Sequence, residues 1–464
     1  MRRLAAAAAV LAAVLAGAGP AHADDAADRA RATALGIEAY EYGIPLLEFL
    51  RIRRQQTSVT VPNGRGDAPV NQIGRAALVR PEDRIIPAPS TDTLYTVIHL
   101  DLAREPQVLH VPPQGRRYFT FEFIDPYTNV FAYVGTRATG SQGGDFAITG
   151  PGWHGRLPRG VRRIRSPFRR AWVGGRTLLR GPSDLAAAQR VQRGYRLVPL
   201  SRYGTAWTPP RPRRIVMTPR RAVTPEGLAF FDALGKALAE NPPPARDAPL
   251  LRRLAAVGIG PGRAPSRDGL PAAVREGLAA AVPAAKAQIQ RALFGFIARA
   301  PAAANGWVVP KPNTGAFGTD YESRALLAVY GIGANRPVES IYPTAFTDRT
   351  GALLSGGSRY VLRFAPGQLP PVRYFWSVTL YDANLFVVPN PIRRFAVGDR
   401  TPGLRRRADG SLEIAIQTGR PASGTANWLP APASGRFVLV MRLYGPSGRV
   451  LRGRWPLPTV TKAG

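Results

Sequence analysis

Six short runs between residues 85 and 200 constrain the architecture most: LYTVIHLDL, QVLHV, RYFTFEFI, NVFAYVG, DFAIT and RAWVGGRTLL. Several alternate apolar and polar residues, the period of a half-buried strand, with turns between them. Strands this closely spaced predict a sandwich or barrel. A second set begins near residue 340 with SIYPTAF, SRYVLRF, RYFWSVTLYD, LEIAIQ and RFVLVMRLYG, and fits a second β domain. The text between them is helical. TPEGLAFFDALGKALAEN opens on a Thr cap with an early Glu226, and Leu228, Phe231, Leu234 and Leu238 follow at helical spacing. LLRRLAAVGI and LPAAVREGLAAAVPAAKAQIQRALFGFIARA continue the pattern, with Pro283 expected as a break. Residues 25–53 predict a further helix, kinked or divided at Pro45, and shorter helices are expected at 183–195 and near 320–330.

The predicted fold is therefore mainly β with an α-helical insert, two β-sandwich domains joined by a helical segment. We place an N-terminal helix plus β domain at 24–215, a helical linker domain at 216–335 and a C-terminal β sandwich at 336–464. The first 23 residues read as a secretory leader: MRR is basic, LAAAAAVLAAVLAGAG is small and apolar, and Ala21-His22-Ala23 is an A-x-A cleavage site. The expected location is secreted or envelope-associated, with cleavage near Ala23. No later run reaches the ~20 apolar residues of a spanning helix. The absence of cysteine excludes disulfides, thiol catalysis and thiolate metal sites. The net charge is +33, and only four of the 63 basic residues are lysine. Such a surface attracts polyanions such as an anionic cell-wall polymer, or it reflects an arginine-rich codon bias. No nucleic-acid-binding motif accompanies it.

Several segments taken together resemble two bacterial families. EAYEYGIPLLE, TDTLYTVIHLDL, RRYFTFEFIDPYTNVFAYVGTRATG and GPGWHGRLP are similar to domain of unknown function 1254. RYFWSVTLYD, DGSLEIAIQ, NWLPAP and FVLVMRLYGP are similar to domain of unknown function 1214. The resemblance implies two largely β domains joined by helices, the C-terminal one jelly-roll-like, and it implies no agreed reaction. Ser90 stands where the first family usually carries Asn before its Asp-Thr-Leu-Tyr motif, here Asp92 to Tyr95.

The candidate catalytic pair is Asp92 and Tyr95, an acid and a phenol three residues apart at a strand entrance. They could share a proton or bind a hydroxylated substrate. The structural alternatives are an Asx-turn at Asp92 and a half-buried strand aromatic at Tyr95. Arg117 and Arg137 are candidate clamps for a carboxylate or phosphate. Asp125, at an Asp-Pro turn, is a third polar candidate. In RRYFTFEFI, Tyr118 and Glu122 share one face while Phe119, Phe121 and Phe123 build a core on the other. Glu122 is then either solvent-exposed or cleft-lining, and exposure is favoured. Trp376, Asn427 and Trp428 are candidate ligand contacts, the tryptophans by stacking or simply as core. His99, His110 and His154 lack zinc-site spacing, so no metal site is assigned. No organic cofactor is expected, and calcium held by dispersed carboxylates is the one ion left open. No G-x-S-x-G occurs.

Two functions follow. The first is a secreted enzyme with hydrolase-like or acid–base chemistry on a hydroxylated or anionic small molecule or glycan. The second is a non-catalytic envelope protein that binds a glycan or polyanion, and an assembly scaffold is a weaker third.

Overall fold

The computed structural model describes residues 20–84 and 87–464. Residues 1–19 of the expected leader lie outside them. Among the described residues no helix is long and apolar enough to cross a membrane. Residues 20–47 with Val223–Gln290 form one compact unit, and Glu48–Ala222 with Arg291–Gly464 form a second.

The first unit is helical. Its elements are the start of a helix over Pro20–Gln56, the helices Leu228–Glu240 and Ala248–Ala255, and most of Ala272–Ala304. Pro45 does not divide its helix, and the break expected at Pro283 does not occur. Each proline removes one amide from the ladder, but buried neighbours hold the turns around it: Ile44, Leu46 and Leu47 in one case, Val282 and Ala285 in the other. Two of these helices approach closely at Gly277, where a Cβ would meet the Arg29 carbonyl at 2.4 Å.

The second unit holds both β regions, and each is a pair of open sheets, as expected. In the first region, one sheet runs in the order Gly74–Arg75, Thr93–Asp101, Arg170–Leu178, Phe119–Ile124, Val130–Gly135, antiparallel throughout. Its partner sheet contains Arg162–Arg165, Gly144–Thr149, Gln107–Val111 and Arg196–Pro199. Phe119, Phe121 and Phe123 meet Ile98, Val173, Leu109 and Ile148 in the core between them. Inward alternation thus follows the period of two read from the sequence.

In the second region, Phe437–Pro446 lies at the centre of a six-stranded sheet, flanked by Val372–Asp382 and Thr344–Ala345. The facing sheet is built from Trp428–Pro430, Leu412–Gln417, Tyr360–Phe364 and Thr459–Lys462. Trp376, Val378, Leu439, Met441 and Leu443 pack against Leu362, Phe364, Ile414 and Ile416. Both sandwiches therefore use one face of their larger sheet for their own core. The opposite faces carry the site.

Candidate functional site

On Thr93–Asp101 the residues opposite the core face include Tyr95 and Val97, and on Arg170–Leu178 they are Trp172, Gly174 and Arg176. Tyr95 and Arg176 are direct cross-strand partners, as are Glu122 and Gly174. The same alternation on Phe437–Pro446 presents Val440, Arg442 and Tyr444. All of these line a cavity of about 420 Å³ between the two β regions. The helix Tyr321–Tyr330 adds Leu326, Leu327 and Tyr330 to its wall. The volume is that of a small-molecule site.

The wall is largely apolar, with one concentrated polar end. Glu122 is 1 % exposed, and its Oε1 accepts from Arg176 Nη1 at 2.6 Å. Its Oε2 has no hydrogen-bond partner. Burial pushes the Glu122 carboxyl up to about 7, against the opposing pull of Arg176. Burial works against the Arg176 charge as well, but Glu122 and the nearby phenols Tyr342, Tyr95 and Tyr444 raise Arg176 well above its ordinary value. The second Arg176 amino group donates to the Gly333 carbonyl at 2.9 Å. Gly174 makes room for this pair: a Cβ there would sit 3.1 Å from Glu122 Oε1. Arg442 donates to Thr379 Oγ1 at 2.9 Å, to the Ala88 carbonyl at 2.7 Å and to Tyr381 Oη at 2.6 Å. A carboxyl held near 7, beside a fixed cation in a largely apolar wall, suits general acid–base chemistry.

Residues 70–199 match the family model described as protein of unknown function DUF1254, and residues 339–448 match the one described as protein of unknown function DUF1214. In this chain a segment similar to DUF1254 is thus followed by one similar to DUF1214. No curated protein matches it. Among solved structures, the VPA0106 protein from Vibrio parahaemolyticus is 21% identical, with a TM-score of 0.67, covering 93% of this chain and all (100%) of its own. That likeness shows the fold. An uncharacterized protein from Burkholderia cenocepacia is 12% identical with a TM-score of 0.46, covering 96% of this chain and 97% of its own.

Against this frame the residues singled out from sequence do not converge. Tyr95 lines the cavity, and its hydroxyl accepts from the Ser90 amide at 2.8 Å. Asp92 turns away from it. Although only 8 % exposed, Asp92 is not among the lining residues. Its Oδ2 accepts from Ser377 Oγ at 2.5 Å and its Oδ1 from Arg400 Nη2 at 2.8 Å. The acid at the strand entrance therefore ties the DUF1254 region to the DUF1214 region. Ser90 shapes the turn between the two groups, its Oγ accepting from the Asp92 amide at 3.1 Å.

Arg117 is a clamp for a partner inside the fold: it holds Asp184 through both amino groups, at 2.5 and 2.7 Å, and donates to the Leu178 carbonyl. Arg137 pairs through Nε with the buried Glu339 and lies over the Tyr133 ring. Asp125 closes its own turn, accepting from the Asn129 amide at 2.9 Å, and burial pushes its carboxyl up to about 6. Trp376 is in the core of the DUF1214 sandwich. Asn427 bridges the Arg405 and Glu413 backbones, and Trp428 Nε1 donates to the Gln417 carbonyl. Of the histidines, His99 is buried against Gln56 and pushed down to about 3, so it stays neutral. His110 pairs with Asp145 at 2.8 Å.

The residues that gather with Tyr95 at the polar end are others: Glu122, Arg176, Arg442 and Tyr444. The exposure favoured for Glu122 is corrected, since it lines the cavity. Some of this was readable. VLVMRLYG sets Arg442 in an otherwise apolar strand, and AWVGGRT sets Arg176 directly after a pair of glycines. An arginine inside such text is either at an edge or buried beside a purpose-built partner.

Proposed function

We propose that this protein is an enzyme that performs acid–base chemistry on a small molecule held in the cavity, with Glu122 as the proton-transferring group. One observation carries this: Glu122 Oε2 is buried in the cavity wall with no protein partner, while Oε1 is fixed by Arg176. A ligand group within reach of Oε2 could exchange a proton with it. Arg176 holds the carboxyl in place and stabilises the charge that forms when the proton leaves. Tyr95, whose hydroxyl oxygen is engaged by Ser90, keeps its proton available to a ligand oxygen. Hydrolysis and simple proton transfer both fit this arrangement. The leader pattern of residues 1–23 supports export as the setting.

A second reading is a binding protein without turnover. It is favoured by the Arg176 pair itself, which neutralises Glu122 in the free protein. The two readings separate by metabolite profiling. The purified wild type and Glu122→Gln are each incubated with a small-molecule extract, and mass spectrometry follows each compound. The expected result is at least one compound consumed by the wild type and consumed about 10²-fold or more slowly by Glu122→Gln, the scale of a lost acid–base group. Equal consumption by both proteins contradicts the catalytic assignment. Compounds that are retained but never converted by either protein favour the binding reading.

A further inference from the structure

We infer that the cavity takes an anionic amphiphile, with a carboxylate head between Arg176 and Arg442 and an apolar body against the helix Tyr321–Tyr330. This rests on the reading of the cavity as the functional site, and adds the class of molecule that fills it.

Charge sets the sign. Five cationic residues line the wall, Arg65, Arg80, Arg176, Arg442 and Lys311, against two acids, Asp83 and Glu122. Arg80 and Lys311 are matched by Asp83 and Asp320 respectively. At the polar end, the two guanidiniums of Arg176 and Arg442 share that wall with one carboxylate. Asp92 lies within electrostatic reach of Arg442 but is already bound by Arg400.

Donor count sets the head group. The Tyr95 hydroxyl accepts from Ser90, and no described residue accepts its proton. Tyr444 Oη is buried with no partner at all. Guanidiniums and free phenol protons are all donors, so the matching head is rich in acceptors. A carboxylate supplies up to four acceptor positions and the balancing negative charge. Of these groups the buried Tyr444 hydroxyl is the one without any protein partner, and a ligand acceptor would satisfy it.

The rest of the wall sets the body. Beyond the polar end come Phe296, Val309, Leu327, Ile332 and Phe346. A sugar, with a hydroxyl on nearly every carbon, would leave most of them unpaired against that surface, which is costly. An alkyl or aromatic body gains by leaving water there. The glycan considered from sequence is therefore disfavoured for this cavity.

The test uses the full-length protein and three probes of one chain length: decanoate, decanol and decyltrimethylammonium, titrated by calorimetry. The expected order is decanoate tightest, decanol at least about tenfold weaker, and the cation undetectable, following the strength of charge-assisted hydrogen bonds. Tyr444→Phe removes the unpaired hydroxyl but keeps the ring, which stacks on Phe375 with centroids 4.1 Å apart. It should weaken decanoate about tenfold and change decanol less than about twofold. Tyr95→Phe is the second variant should the first fail to fold. Failure of all three probes to bind, tighter binding of decanol or the cation, or an equal effect of Tyr444→Phe on decanoate and decanol would overturn the assignment. None of these outcomes depends on turnover, so the role of Glu122 is judged separately by the profiling experiment.

Discussion

Above neutral pH, where Glu122 is charged beside Arg176, Arg176→Ala lowers the stability of the second unit by about 3–5 kcal/mol, the cost of leaving a buried carboxylate without its counter-charge, and by less at lower pH, where the carboxyl takes up a proton instead. Both partners are nearly inaccessible, Arg176 at 8 % and Glu122 at 1 % exposure. Glu122 has no other hydrogen-bond donor, because its second oxygen is unpartnered. The loss should shrink in the double variant Glu122→Gln/Arg176→Met, where the uncompensated charge is gone and only packing and weaker hydrogen bonds are missing. Denaturant unfolding of the four proteins in this cycle measures the coupling. In that pH range an Arg176→Ala loss below about 1 kcal/mol would place the pair among surface ion pairs in its energetics, and would contradict the buried pairing on which the site depends.

Glu339→Ala should cost a similar amount, about 2–4 kcal/mol, since a fully buried acceptor serves two donors at once. Its carboxylate takes the Tyr118 hydroxyl at 2.6 Å and the Arg137 guanidinium. Both donors belong to the DUF1254 region and Glu339 opens the DUF1214 region. The contact therefore joins two sandwiches that each have a core of their own. Hydrogen exchange is the natural readout. The variant should lose protection around Tyr118 and Phe119 as well as around Ser340. Faster exchange confined to the Ser340 side would show that Glu339 supports only its own region.

How much of this lay in the sequence depends on the range of the interaction that decides each feature. The Phe119, Phe121 and Phe123 row was legible because strand alternation is local, and the same row correctly put Tyr118 and Glu122 on the other face. Whether that face meets water was not legible. It depends on a second sheet more than 200 residues later in the chain, with Arg442 and Tyr444 on it. Asp92 shows the reverse. A short polar residue at a strand entrance promised chemistry, but its partners Ser377 and Arg400 lie in the other region and turn it into a tie. The break expected at Pro283 is absent for a related reason: the local penalty there is outweighed by burial of the residues around it. The strand text of both β regions survived translation into structure because each strand needs only its own alternation to find a face.

The state of the Glu122 proton is the most direct test. Its carboxyl is held at about 7 in the folded protein, raised from an ordinary 4.5. Between those two values the folded chain keeps a proton that the unfolded chain has released. Glu122 thus makes the protein progressively less stable as pH rises through that window, and the effect levels off above it. Infrared difference spectra between the wild type and Glu122→Gln isolate the protonated-carboxyl stretch of this one residue. A band that persists through mildly acid pH and fades with a midpoint near 7 is the predicted result. A band already lost below about pH 5, the range of an ordinary solvated glutamate, would contradict a buried, proton-exchanging group at the head of the cavity.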